Sequence, residues 1–139
     1  MVAVPEHKKN ANTGLILHNS IAEIPSCPAI IGAHGKREWG VVWEYLVEYG
    51  IAATIDVSII IAYCIEVDTY YSSTEQINNE GLSLINDKGA VMANPLISIR
   101  NMALKNLIKI ASEYGFTPIS RQDLKIKQKT ASKLDKLFQ

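Results

Sequence analysis

Gly115-Phe116-Thr117-Pro118-Ile119-Ser120-Arg121 is the stretch from which the fold can be read. Glycine adopts the left-handed conformation that ends a helix without the steric penalty a Cβ would meet. Two residues later, threonine followed by proline is a helix start. The hydroxyl can accept an orphan amide hydrogen, and the fixed φ of proline suits the first helical position. The stretch therefore closes one helix and opens another. Upstream, Asn94-Pro95 carries the same start chemistry, and Leu96, Ile99, Ala103, Leu107, Ile110 and Tyr114 recur between the two at helical spacing. The pattern predicts a helix over residues 94–115, with Arg100, Lys105 and Lys109 off its apolar stripe. A short helix follows over 117–125.

Working back from Asn94, Leu82-Ser83-Leu84-Ile85 and Ala90-Val91-Met92 flank Asn86-Asp87-Lys88-Gly89. That is a small hairpin around a type I turn, with Gly89 left-handed. Before it, a helix of about 25 residues opens with Thr54 as N-cap and Asp56 in the first turn, where a carboxylate complements the helix dipole. Its stripe is Ile59, Tyr63, Val67, Tyr70, Thr74 and Ile77, ending near Gly81. A first helix spans residues 28–49, with Pro28 in its first turn and Gly50 as its cap, and buries Trp39, Trp43, Leu46 and Val47. Gly32, Gly35 and Gly40 each weaken it by up to about 1 kcal/mol relative to alanine, so its early part starts late or kinks.

The expected fold is mainly α: three main helices plus a short C-terminal helix, with a β-hairpin between the second and third. Residues 1–25 read as a flexible arm, 26–125 as the helical core and 126–139 as a basic tail. Gly14-Leu15-Ile16-Leu17 and Ile21 are apolar for a free arm, which favours docking on a neighbouring surface.

The 139 residues carry 14 basic and 14 acidic side chains, a formal net charge of zero. That argues against a freestanding nucleic-acid binder relying on overall positive charge. The charge is segregated, however. Nine acids and no base lie from Glu38 to Asp87, whereas Arg100, Lys105, Lys109, Arg121, Lys125, Lys127, Lys129, Lys133 and Lys136 dominate beyond. Such a chain presents opposite signs on different faces, which suits like-to-like assembly and contact with a polyanion.

Enzyme readings fare poorly. Cys27 and Cys64 form no Cys-x-x-Cys pair and read as reduced thiols, and His7, His18 and His34 have no metal-ligand spacing with them. No Gly-x-x-x-x-Gly-Lys-(Ser/Thr) loop is present, and Asp56 and Glu66 lie ten residues apart with nothing to gather them into an acid/base pair. No catalytic residue, metal or cofactor is expected. Ile59-Ile60-Ile61-Ala62 is far too short to cross a bilayer, so no membrane partner is expected and the chain reads as soluble and cytoplasmic.

The anchors in order are Glu38-Trp39, Leu46, Gly50, Asp56, Tyr63-Cys64, Gly81, Gly89, Asn94-Pro95 and the stretch from Gly115 to Arg121. In this order the chain, over residues 25–124, resembles the phage terminase small subunit family whose members carry a Gly-(Leu/Phe)-Thr-Pro-x-Ser-Arg ending. The resemblance implies a non-enzymatic DNA-packaging factor in the host cell cytoplasm. Its partners would be double-stranded viral DNA, the terminase large subunit that holds the ATPase and nuclease, and further copies of itself in a homo-oligomeric ring. The arm departs from relatives rich in Arg, Pro and Gly, offering only His7-Lys8-Lys9.

Candidate DNA-binding residues are Lys8, Lys9, Arg100, Lys105, Lys109, Arg121, Lys125, Lys127 and Lys129; the bland reading of each is a solvated surface charge. Leu134, Leu137 and Phe138 are a candidate docking tip for the large subunit or portal, against simple fraying. Trp39, Trp43, Tyr63, Tyr70 and Tyr71 read as core rather than base-stacking residues. The competing function is a dimeric winged-helix regulator with the hairpin as its wing, against which the length of the second helix counts.

Overall fold

The computed structural model describes residues 19–123 together with Lys133, Lys136 and Leu137. Its elements are α1 (Ala33–Glu48), a 3-10 turn (Thr54–Asp56), α2 (Val57–Glu80), β1 (Ser83–Ile85), β2 (Val91–Ala93) and α3 (Leu96–Glu113). A further short helix, α4, covers 118–123. The three-helix plan with its interposed hairpin and short C-terminal helix is therefore what the chain adopts.

α2 is the central element, with α1 and α3 both packed along it. Being flanked on two sides, it buries a wide arc: Ile60, Tyr63, Cys64, Val67, Ser73 and Ile77. The expected stripe was rotated at its start, since Ile59 is 46% exposed and Ile60 fully buried. Trp39, Val42, Trp43 and Leu46 from α1 complete the core with Ala111 of α3.

α1 begins at Ala33, later than the expected residue 28. Pro28 instead accepts the Ile31 amide in a turn (3.2 Å), and Gly32 is extended. A Cβ on Gly32 would collide with the Asp68 carboxylate, while one on Gly35 would lie 2.5 Å from the Cys64 carbonyl oxygen. These two glycines let α1 approach α2, and Asp68 Oδ1 caps it from across the interface by accepting the amides of His34 (3.0 Å) and Gly35 (3.3 Å).

The entry to α2 also differs from expectation. Thr54 does not cap it; its hydroxyl donates to the Asn19 carbonyl (3.1 Å). Asp56 Oδ2 instead accepts the Ala53 amide (3.1 Å). Around this point the incoming chain is tied down: Ser20 bridges Ala53, Ile21 N–H donates to the Ala52 carbonyl, and the Ile21 side chain packs on the core. Ile21 thus docks on its own chain. Gly14 to Leu17 lie outside the described residues.

The hairpin pairs antiparallel in the register Ser83↔Ala93, Leu84↔Met92, Ile85↔Val91. Asn86 organises its turn, its Oδ1 accepting the amides of Lys88 (3.0 Å) and Ala90 (2.9 Å), and Gly89 sits at φ +80°. Buried Asn94 joins the hairpin to both long helices. Its Oδ1 accepts the Leu96 amide at the start of α3, and its Nδ2 donates to Gly81 O (3.0 Å) and Glu80 Oε2 (3.3 Å) at the end of α2.

Candidate functional site

The stretch from Gly115 to Arg121 is built as a relay of caps. Gly115 is left-handed (φ +75°), and the Phe116 amide donates back to the Ala111 carbonyl (2.8 Å), closing α3. Phe116 then turns inward among Tyr45 (ring centroids 5.5 Å), Tyr63 (5.4 Å) and Tyr114 (5.8 Å). Thr117 opens α4 with a reciprocal box: its amide donates to Ser120 Oγ (3.1 Å), and the Ser120 amide donates to Thr117 Oγ1 (3.3 Å). Serine here fills the place glutamate or glutamine takes in the usual box.

Arg121 belongs to the same device. Its Nη1 donates to the Phe116 carbonyl (3.0 Å), and its side chain is half-buried. The Tyr45 hydroxyl donates to Gly115 O (3.0 Å), and burial raises the Tyr45 phenol above its ordinary value, with Tyr49 adding to the shift and Arg121 opposing it. Arg121 therefore helps set the turn as well as contributing charge to its rim.

The other basic candidates are spread out. Lys105 and Lys109 are exposed one turn apart on α3. Arg100 departs from expectation: it lies on the half-buried side of α3 and its guanidinium donates to Asn101 Oδ1 (3.3 Å). Ile99, expected in the buried stripe, is 48% exposed. Lys8, Lys9, Lys125, Lys127, Lys129, Leu134 and Phe138 lie outside the described residues; Leu137 is helical and 79% exposed. Among the described residues the ion pair seen is His34 Nε2 to Glu75 Oε1 (2.9 Å), so the cations of α3 and α4 have no carboxylate partner there.

Sequence reasoning missed a groove between α1 and α3. Glu38 of α1, Tyr63, Val67, Tyr70 and Tyr71 of α2, and Leu104 and Leu107 of α3 line a cavity of about 180 Å³. The Tyr63 hydroxyl donates to Glu38 Oε1 (2.9 Å); burial, then that carboxylate, pushes the phenol well above its ordinary 10.0. Beside it, His34 stacks on Tyr71 (5.0 Å) and accepts from Arg37 at Nδ1 (2.6 Å), which leaves Nε2 as the protonated nitrogen facing Glu75. The signal was present as acids and tyrosines at helical spacing, but only packing shows which of them face α3.

Among the described residues no group of three His, Cys, Asp or Glu side chains could hold a metal ion. Burial, reinforced by Glu38, pushes the Cys64 thiol up to about 12, which makes it a poor nucleophile. The tryptophans are core, as expected: Trp39 donates to the Pro25 carbonyl (2.9 Å), and the Trp43 indole N–H is buried with no partner among the described residues. Among the described residues no helix is long and apolar enough to cross a membrane.

A family model described as phage terminase, small subunit, matches residues 35–131. Comparison with curated proteins and with solved structures finds no match.

Proposed function

The chain belongs to the phage terminase small-subunit family, a membership that supports a role in phage DNA packaging, and we propose that it acts there as an oligomeric, non-enzymatic DNA-binding subunit. In this reading it forms a ring, engages double-stranded viral DNA, and recruits and regulates the large ATPase-nuclease subunit in the host cytoplasm. The observation that carries the DNA part is the pair Lys105 and Lys109, exposed on one face of α3 with no carboxylate to neutralise them among the described residues. Arg100 and Arg121 stand on the same pair of helices, and the lysines at 125, 127 and 129 follow them in sequence.

One neutral copy has little affinity for a polyanion. A ring repeats each weak phosphate contact around an axis and converts later contacts into intramolecular ones. The test is a mobility shift with phage double-stranded DNA, alongside the mass of the free protein by light scattering. The expected result is a defined oligomer whose DNA affinity falls about a thousandfold between roughly 50 and 200 mM salt, as for a protein neutralising about six phosphates. Lys105→Glu with Lys109→Glu is expected to lower that affinity and flatten its salt slope while leaving the mass unchanged. A monomer at micromolar concentration with no DNA shift overturns the proposal.

A further inference from the structure

Both α1 and α3 pack along α2, but they come together at the Phe116 end of the fold, where Tyr45 reaches Phe116 and Gly115. From Tyr63, which itself touches Phe116, the helices diverge and leave the groove floored by Tyr63, Val67 and Tyr70, with Glu38 on one wall and Leu104 on the other. Val41 follows Glu38 by three residues and Ile108 follows Leu104 by four, so helical geometry extends both walls with apolar groups that are 62% and 50% exposed. A tyrosine-floored trough with aliphatic rims and a carboxylate in its wall fits an amphipathic helix carrying lysines beside its apolar face.

The chain's own C-terminal segment has that chemistry. Ala131, Leu134, Leu137 and Phe138 fall at helical spacing, with Lys129, Lys133 and Lys136 among them. Lys133, Lys136 and Leu137 are helical and exposed, and at 79% exposure Leu137 is not seated in the groove of its own copy. Charge complementarity rests on Glu38, the carboxylate in the groove's lining, which has no cationic partner among the described residues.

We propose that the groove between α1 and α3 receives the C-terminal segment, residues 125–138, of a neighbouring copy of this chain. The contact is head-to-tail, each copy presenting one groove and one tail, and a constant rotation between copies closes such contacts into a ring. The inference rests on the oligomeric reading above and names the surfaces that would build it. Tail leucines and Phe138 fill the space over Tyr63 and Val67, and a tail lysine pairs with Glu38.

The experiment uses two full-length variants. Leu104→Asp spoils the groove and leaves the tail; Leu134→Asp with Leu137→Asp spoils the tail and leaves the groove. Leu104 is 37% and Leu137 79% exposed, so both variants are expected to keep the wild-type helical circular dichroism and melting temperature, with Leu104→Ala in reserve should Leu104→Asp fail that check. Each alone is expected to self-associate at least about tenfold more weakly than wild type by mass photometry. Mixed in equal amounts they should form a one-to-one dimer and stop, because one intact tail meets one intact groove. Variants that keep the wild-type mass distribution, or a mixture that stays monomeric, overturn the proposal. So does loss of binding to the purified large subunit with the oligomer intact, which would assign the tail to that partner. A monomeric wild type overturns the oligomeric reading itself, and the two failures are thereby distinguishable.

Discussion

Phe116 sits where α3 ends, ringed by Tyr45, Tyr63 and Tyr114, so one side chain joins the ends of all three helices. Phe116→Ala is expected to destabilise the fold by about 3 kcal/mol in urea unfolding, since the rings around it cannot collapse onto alanine. Tyr45→Phe keeps the ring contact and removes the bond to Gly115 O, an expected loss nearer 1 kcal/mol. Asn94 poses a sharper test. Asp is as good a cap as Asn for α3, so capping alone makes Asn94→Asp neutral. The Asn94 amide, however, donates to Gly81 O and Glu80 Oε2 from a buried position, and a carboxylate there would face both oxygens without a proton to offer. The second effect is larger, and Asn94→Asp is expected to cost about 2 kcal/mol or more by the same measurement.

Among the elements, α1 depends most on what it approaches. In an ordinary helix interior, glycine to alanine stabilises by up to about 1 kcal/mol. Gly40→Ala should follow that rule, because nothing stands within 4 Å of the added Cβ. Gly35→Ala should reverse it: the Cβ would meet the Cys64 carbonyl oxygen at 2.5 Å, and backbone on α2 cannot swing aside. Opposite shifts in melting temperature for the two variants check this, and equal shifts would refute close packing of α1 on α2. The hairpin is the contrasting element. Leu82, Ile85 and Val91 are each at least 66% exposed, so it rests on Asn94 and its own turn rather than on core packing. Its presence was legible because Asn86 and Gly89 make the turn locally. The start of α1 was not, because Asp68 caps it from another helix.

For the molecule as a whole, the buried phenols set its alkaline limit. Burial and the Glu38 carboxylate raise Tyr63, and burial and the hydrogen bond to Asp56 raise Tyr114, both above the ordinary 10.0. Protons held more tightly in the folded state add stability that begins to be lost near pH 9, the ordinary value of the Cys64 thiol that burial raises to about 12. It is lost more steeply above pH 10 as the raised phenols follow. Urea midpoints should therefore fall steeply above pH 10, and Tyr63→Phe with Tyr114→Phe should flatten that fall. Local chemistry was enough, from sequence, to place the three helices but not where α1 starts or what caps α2, and to determine the hairpin and the cap relay from Gly115 to Ser120, because turns, caps and periodicity act between residues close in the chain. The segregation of acids from bases was likewise visible. Only the tertiary structure decided that Arg121 bonds back to Phe116, that Arg100 lies half-buried while Ile99 faces outward, and that Glu38, Tyr63 and Leu104 share one groove. Those outcomes depend on how α1 and α3 are rotated about α2, and that rotation is set by contacts between residues far apart in sequence, including the two glycines that let the helices close.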